Sequence, residues 1–358
     1  ETQIATLLGY AASAATVSVN APGMSGAELA AVADHIDVVD SISKLSISSA
    51  LTAEQIESVI GKATDATVNA TGLGYDELSV IASNVSHIAN NGITGTLSLS
   101  ADFRSSEINA LLGSKTASAA NVTINAEAMS ASRLDAVSSG ISKVDSITNL
   151  RLNVHQGSGA IANLLSKTAN AAVDATEMNG DQLNALADKI SKVGSSGITG
   201  SFTIETLWTN ETRIAALLGS KTDGASDLMI NAGSATKAQL AAISNGISKV
   251  DHISNLTLSK DQTATQIDNL LGKADGDCYV LVKVVAHLEN VYSGGIYGTL
   301  SIGNTGLTDS QIGALLGPKT DAYVRVSVAG MDASKLAAVV SGIDWVDDIP
   351  DLKATSGM

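Results

Sequence analysis

A three-residue phrase closes a helix-like segment seven times along the chain. It reads Leu7-Leu8-Gly9, Val59-Ile60-Gly61, Leu111-Leu112-Gly113, Leu164-Leu165-Ser166, Leu217-Leu218-Gly219, Leu270-Leu271-Gly272 and Leu315-Leu316-Gly317, with start-to-start spacings of 52, 52, 53, 53, 53 and 45 residues. Fixed periods of tens of residues mark repeat architectures. The 358 residues are therefore expected to form one continuous array, 1–358, rather than two or three unrelated domains.

Each repeat of about 52 residues holds two strand-like and two helix-like phrases, so one strand-plus-helix coil is about 26 residues long. Residues 65–73 alternate β-branched and small residues, 74–88 carry apolar residues at helical spacing, 92–100 alternate again, and 105–116 return to helix. The second strand phrase comes in two kinds that take turns. "DSISKL", "DSITNL", "DHISNL" and "DDIPDL" contain Ile42, Ile147, Ile253 and Ile349, spaced 105, 106 and 96 residues apart, and "NGITGTL", "SGITGSF" and "GGIYGTL" lie between them. This nesting accounts for the near-twins "KVDSITNLRL" at 143–152 and "KVDHISNLTL" at 249–258. The expected fold is α/β: a single parallel β/α solenoid of about 14 coils, with right-handed crossovers. The one irregularity is a shortened repeat at 278–295, which accounts for the final spacing of 45.

Composition narrows the functional classes. With 44% hydrophobic but only 3% aromatic residues, the core must be thin and built from Ala, Val, Ile and Leu. A net charge of −15 argues against nucleic acid as a partner, because phosphate binding needs clustered Lys and Arg. The single cysteine, Cys278, excludes an internal disulfide framework. No apolar run approaches the roughly 20 residues of a membrane span. The chain enters and leaves in mid-pattern, at "ETQIATLLGY" and "IPDLKATSGM", as a piece of a longer chain would.

No catalytic constellation is visible. His35, His87, His155, His252 and His287 lie in different phases of the repeat, and no nucleophile elbow occurs. The densest carboxylates, Asp347-Asp348 and Asp275/Asp277, match neither an EF-hand loop nor a glycine–aspartate calcium repeat. No cofactor or metal is expected, beyond weak calcium binding by an acidic surface. The candidate residues are structural. Asn20, Asn69, Asn125 and Asn231, with Asp174 in one copy, recur after the first strand phrase. They are expected to form a buried polar ladder at the strand ends, about 4.8 Å apart. Lys143, Asp145, Lys249 and Asp251 recur at equivalent corners, where they are expected as solvated surface pairs worth little each.

The phrases "ITNLRLN" (147–153) and "ISNLTLS" (253–259) read I-x-x-L-x-L, and in this the chain resembles a leucine-rich repeat over its whole length. The resemblance implies a parallel sheet on one face and helices on the other. The strand type "VTINA" and the helix ending "LLGSKT" depart from the common pattern. The acidic, Ala/Ser/Thr-rich style is similar to repeats of very large bacterial surface or secreted proteins, those of cyanobacteria among them.

Two functions follow as expectations. The first is a structural segment of an extracellular or cell-surface bacterial protein, a surface layer, filament, stalk or adhesin shaft, partnered by further repeats of the same chain or by other copies of itself. The second is a leucine-rich-repeat-like recognition module for a protein or a surface glycan. A solenoid hydrolase has least support, so no enzyme activity is expected.

Overall fold

The structure, a computed structural model, describes residues 1–11, 16–258, 261–274, 278–280, 291–303 and 307–352. The chain divides into two compact units. One comprises Glu1–Val173 with Ser191–Gly194, the other Asp174–Ile190 with Ser195–Met358. Both units alternate short helices with short strands, and every strand pairing among the described residues is parallel. An α/β repeat fold is thus established, while a single solenoid of fourteen coils is not: the strands fall into small sheets of two to four. Of the shortened repeat at 278–295, residues 281–290 lie outside the described residues, and the strands beside them, Cys278–Val280 and Val291–Ile302, pair in parallel.

In the first unit, strand Ala66–Asn69 lies between Ser46–Ile47 and Ile88–Thr94, and strand Asn121–Asn125 lies between Thr96–Leu99 and Ser146–Thr148. In the second, Asp227–Asn231 lies between Ser201–Glu205 and His252–Ser254. Alternation decides which side chains face inward. Ala66 and Val68 are buried while Thr67 and Asn69 are exposed, and Val122 and Ile124 are likewise buried. The helices supply the other wall of the core. Ile108 and Leu111 are buried in helix Ser105–Leu111, as are Ile161, Leu164 and Leu165 in Ser158–Ser166. From Val59-Ile60 to Leu315-Leu316 the recurring phrase is therefore core.

The helices start where the sequence places caps. Thr52, Thr236, Thr263 and Thr308 each accept the backbone N–H three residues on, from a Gln whose side chain bonds back to the cap residue. Such reciprocal boxes satisfy two of the four free donors of a helix start. The unusual "LLGSKT" ending acts at the other terminus. The buried hydroxyls of Thr116, Thr222 and Thr320 donate to the carbonyls of Leu111, Leu217 and Leu315. The ammonium groups of Lys115 and Lys319 reach the carbonyls of Ile88 and Val291 on the preceding strand.

The twin decapeptides hold the main inter-coil clamp. The Asp145 N–H donates to the Val122 carbonyl at 2.9 Å, and the Asp145 carboxylate accepts the Val122 N–H at 2.7 Å. Asp40 does the same with Val17 (2.9 and 2.7 Å), Asp251 with Leu228 (2.9 and 2.9 Å) and Asp347 with Val324 (2.9 and 2.6 Å). The lysines two residues earlier bond backbone as well: Lys143 donates to the Thr116 carbonyl at 2.7 Å and Lys249 to that of Thr222 at 2.8 Å. The expected solvated Lys–Asp pairs are thus corrected. A strand with only one regular neighbour at this level has free N–H groups, and these side chains fill that need. Coils also approach closely beside the clamp. A Cβ added to Gly140 or Gly246 would lie 2.4 Å from the Cβ of Leu112 or Leu218.

Asp145→Ala should therefore destabilise the chain by about 1–3 kcal/mol, because the N–H of fully buried Val122 loses its partner. Asp135→Ala, at an exposed helix position, should stay within about 0.5 kcal/mol of the parent. Urea denaturation of the two variants checks this, and equal midpoints would refute the clamp.

Candidate interaction surfaces

The recurring amides lie at the surface. Asn20, Asn69, Asn125 and Asp174 are exposed and Asn231 is half-buried, so the expected buried ladder is corrected. Two features of the strands account for this. Each amide follows an inward-facing Val or Ile and so points outward. They also occur on alternate strands, and the partners in register are Ser43, Thr94, Thr148 and Ser254.

What these residues do is lock the turn after the strand and the bend of the next one. The Oδ1 atoms of Asn69, Asn125, Asp174 and Asn231 accept the N–H two residues on, from Thr71, Glu127, Thr176 and Gly233, at 3.1–3.2 Å. The following strand phrase bends at a residue with positive φ: Lys44, Gly95, Asn149, Gly200 or Asn255. The bend residue depends on what the earlier turn presents. Asn149 and Asn255 donate their amides to Asn125 and Asn231, both at 2.9 Å. Where the turn contains Thr71 or Thr176, the bend residue is Gly, since a Cβ on Gly95 would lie 2.2 Å from Asn69 Oδ1 and 2.5 Å from Thr71 Oγ1. On Gly200 it would lie 2.3 Å from Thr176 Oγ1. "NGITGTL" and "SGITGSF" take the glycine solution and "DSITNL" and "DHISNL" the asparagine one, while in "DSISKL" the left-handed residue is Lys44.

Among the described residues no three His, Cys, Asp or Glu side chains converge on a point that could hold a metal ion. The Asp275/Asp277 pair lies outside the described residues, and Asp347 and Asp348 are engaged by the Val324 N–H and by Arg325 (3.0 Å). His35 and His87 contact the carbonyls of Ala31 and Ala63 at 3.0 and 2.7 Å. No helix of the described residues is long and apolar enough to cross a membrane.

One loop stands out from the small, polar surface. Leu207 and Trp208 are 64% and 68% exposed, yet their backbone is held firmly. Buried Gln239 donates to the carbonyls of Thr206 and Thr209 at 2.7 and 2.8 Å, Asn184 donates to the Trp208 carbonyl at 3.1 Å, and the Thr206 hydroxyl contacts the carbonyls of Asn231 and Gly233. Below the loop, Arg213 forms a two-pronged bond to Asp188 at 2.8 Å, which holds the Asp188 carboxyl below the ordinary carboxylate range. The equivalent residues one block earlier are Ala101 and Asp102. Nothing in the repeat pattern marks this loop; its one signal in the sequence is two large apolar residues at a turn that elsewhere is small or charged.

No protein-family model matches the chain, and no curated protein sequence does. Among solved structures it is similar to the leucine-rich repeat-containing protein LegL7 from Legionella pneumophila, at 14% identity and a TM-score of 0.22, over 76% of this chain and 95% of that one. The repeat, leucine-rich-repeat-like character of the chain rests on its parallel ladders and coil length rather than on that overlap.

The bend is open to a direct test. Gly95→Ala should destabilise by at least about 1–2 kcal/mol from its left-handed backbone alone, with the clash against Asn69 adding to that. Gly159→Ala, in a helix with nothing within 4 Å of the new methyl, should stabilise by about 0.5–1 kcal/mol. Thermal melts that shift the same way for both would count against the bend.

Proposed function

We propose that this chain is a structural, non-enzymatic repeat segment of an extracellular bacterial protein, such as a surface layer, filament, stalk or adhesin shaft. In this reading the two units continue one parallel β/α solenoid, and no cofactor is required. The clamp supports it most. At each block corner a charged side chain is committed to the backbone of the preceding coil, the use expected of parts that bear load. Strand faces fit as well. Their outward residues are largely Ser, Thr and Asn, with hydroxyl contacts such as Ser41 to Ser18 at 3.1 Å and Ser98 to Thr123 at 3.2 Å, and they lack the Trp, Tyr and Arg density of binding hot spots. Small-angle X-ray scattering of the chain should give a single rod or shallow arc, since about fourteen strands stacked at ~4.8 Å span roughly 65 Å. A scattering curve of two bodies on a free tether would overturn the shaft.

The Leu207–Trp208 loop favours a second reading, recognition of a protein or glycan. An aromatic anchor fixed before binding loses little freedom on contact. If this reading holds, glycan-array or surface-protein binding by the parent chain should fall at least about tenfold in Trp208→Ala. Equal binding by the two would dismiss the loop.

A further inference from the structure

The Leu207–Trp208 loop differs from its counterpart one block earlier in more than its two exposed side chains. There, residues 100–103 join Leu99 to the helix cap Arg104; here 205–209 join the equivalent Ile204 to the cap Asn210, one residue more. The earlier block also fills this corner from within. Tyr75, at the start of helix Tyr75–Ser83, meets the buried ring of Phe103 edge-on, with centroids 5.0 Å apart. The residues at those two positions here are Gly180 and Thr209, so both rings are gone. Apart from its own helix and cap, the one atom among the described residues within 4 Å of a Cβ placed on Gly180 is the Trp208 Cβ, at 3.8 Å. An internal aromatic pair has thus been exchanged for one indole that is 68% exposed, beside an open corner.

The charges around this indole are mostly negative. The N–H groups of Trp208 and Thr209 both donate to the Glu205 carbonyl, at 3.2 and 3.1 Å, which sets Glu205 at the foot of the loop. Asp181 follows Gly180, and Glu211 opens helix Glu211–Leu217. Asp181 and Glu211 are exposed and Glu205 is half-buried, and none of the three carboxylates has a hydrogen bond or ion pair among the described residues. On the other side of the balance, Arg213 is taken by Asp188 at 2.8 Å, which leaves Lys237 at the start of helix Lys237–Asn245.

The loop's own two residues decide among ligands. Two exposed apolar side chains fall far short of the roughly 800 Å² per partner of a stable protein interface, so binding here has to draw on charge. A pyranose ring would stack on the indole, but the branched Leu207 offers it neither a flat face nor a hydrogen bond. A lysine or arginine side chain uses the whole surface. Its alkyl stem lies on apolar groups while its head stays among polar ones, and that head is drawn both to an indole face and to carboxylates. We propose that the loop docks a basic segment of a partner protein, with a lysine or arginine stem along Leu207, its charge over Trp208, and Asp181, Glu205 and Glu211 as counter-charges. This deepens the recognition reading, on which it rests, by naming the ligand. The net charge of −15 draws such a segment in from a distance. Because the loop backbone is already bonded to Asn184 and Gln239, docking orders little that was free.

Trp208 and Trp345 are the two tryptophans of the chain, so Trp345→Phe leaves Trp208 as the sole indole reporter in the full chain. Its fluorescence, titrated with N-acetyl-tetralysine amide, should change saturably and respond less as salt rises. The same peptide with its amines acetylated keeps the stems without the charges and should leave Trp208 unchanged. By calorimetry, Trp208→Ala should weaken tetralysine binding at least about fivefold, and the triple variant Asp181→Asn/Glu205→Gln/Glu211→Gln about tenfold. Glu54→Gln/Glu57→Gln/Asp135→Asn removes three charges from exposed positions elsewhere and should change binding less than about twofold. Circular dichroism checks that each variant folds as the parent does. Equal weakening by the two triple variants, or equal binding by Trp208→Ala and its parent, would overturn the proposal and assign the peptide to overall charge. A response of Trp208 to the neutral sugar cellotetraose but not to tetralysine would overturn it while leaving the recognition reading standing with a glycan; no response to either would remove both.

Discussion

The fold depends on a coil borrowing hydrogen-bond partners from its neighbour. A strand of three or four residues, such as Ala66–Asn69, offers too few ladder bonds to hold a layer, and its corner leaves backbone groups that burial would strand unpaired. The Asp–backbone clamp answers this by making one residue both ladder donor to the carbonyl and carboxylate acceptor to the N–H of the same residue on the earlier strand, as in Asp145 with Val122. A bond between a charged acceptor and a backbone N–H is stronger than a neutral one, and here it is made on a residue whose own side chain is core. Packing and polar satisfaction are thereby tied to the same contact, and a coil cannot lose one without the other.

The alternation of coils is a steric consequence of the turn chemistry. Every second strand phrase must bend, and the bend passes against the amide or carboxylate that ends the strand before it. If that turn also carries a threonine, the space beside the bend is filled by Asn69 and Thr71 or by Asp174 and Thr176, and only glycine fits. If it does not, an asparagine can adopt the left-handed conformation and bond the earlier amide, as Asn149 and Asn255 do. Two locally consistent combinations, Asn/Asp-Ala-Thr with Gly (69–95 and 174–200) and Asn-Ala-x with Asn (125–149 and 231–255), alternate over this stretch. A period of about 105 residues is what repeats because each combination spans two coils.

Much of this architecture was legible from spacing alone, since the helix and strand periods come from burial on one face and every coil repeats that burial. The placement of Asn125 was legible too, through a rule that register reasoning passed over: in "VTIN" the buried Val122 and Ile124 put Asn125 on the outside. The clamp was harder to see. A Lys and an Asp two residues apart look like surface charges, and nothing local says that Asp145 meets a peptide unit 23 residues earlier. The division near residues 173 and 191 has no mark in composition, because the repeat pattern runs through it unchanged. The Leu207–Trp208 loop escaped because its neighbours Thr206 and Thr209 look like ordinary turn residues, and the side chain that pins them, Gln239, lies 30 or more positions away.

Thin layers make neighbours matter more here than in an ordinary domain. With aromatics at 3% of the chain, a coil buries Val, Ile, Leu and Ala side chains, each worth no more than about 1.5–3 kcal/mol when fully covered, against an ordering entropy of about 1–2 kcal/mol per residue. A coil of some 26 residues cannot close that balance alone and does so through the faces it shares. Stability is therefore carried by interfaces, and a coil with one open face is the weakest element of the array. The shared faces are built from paired residues: Ser138 with Asn163, Ser244 with Asn269, Leu112 against Gly140 and Leu218 against Gly246.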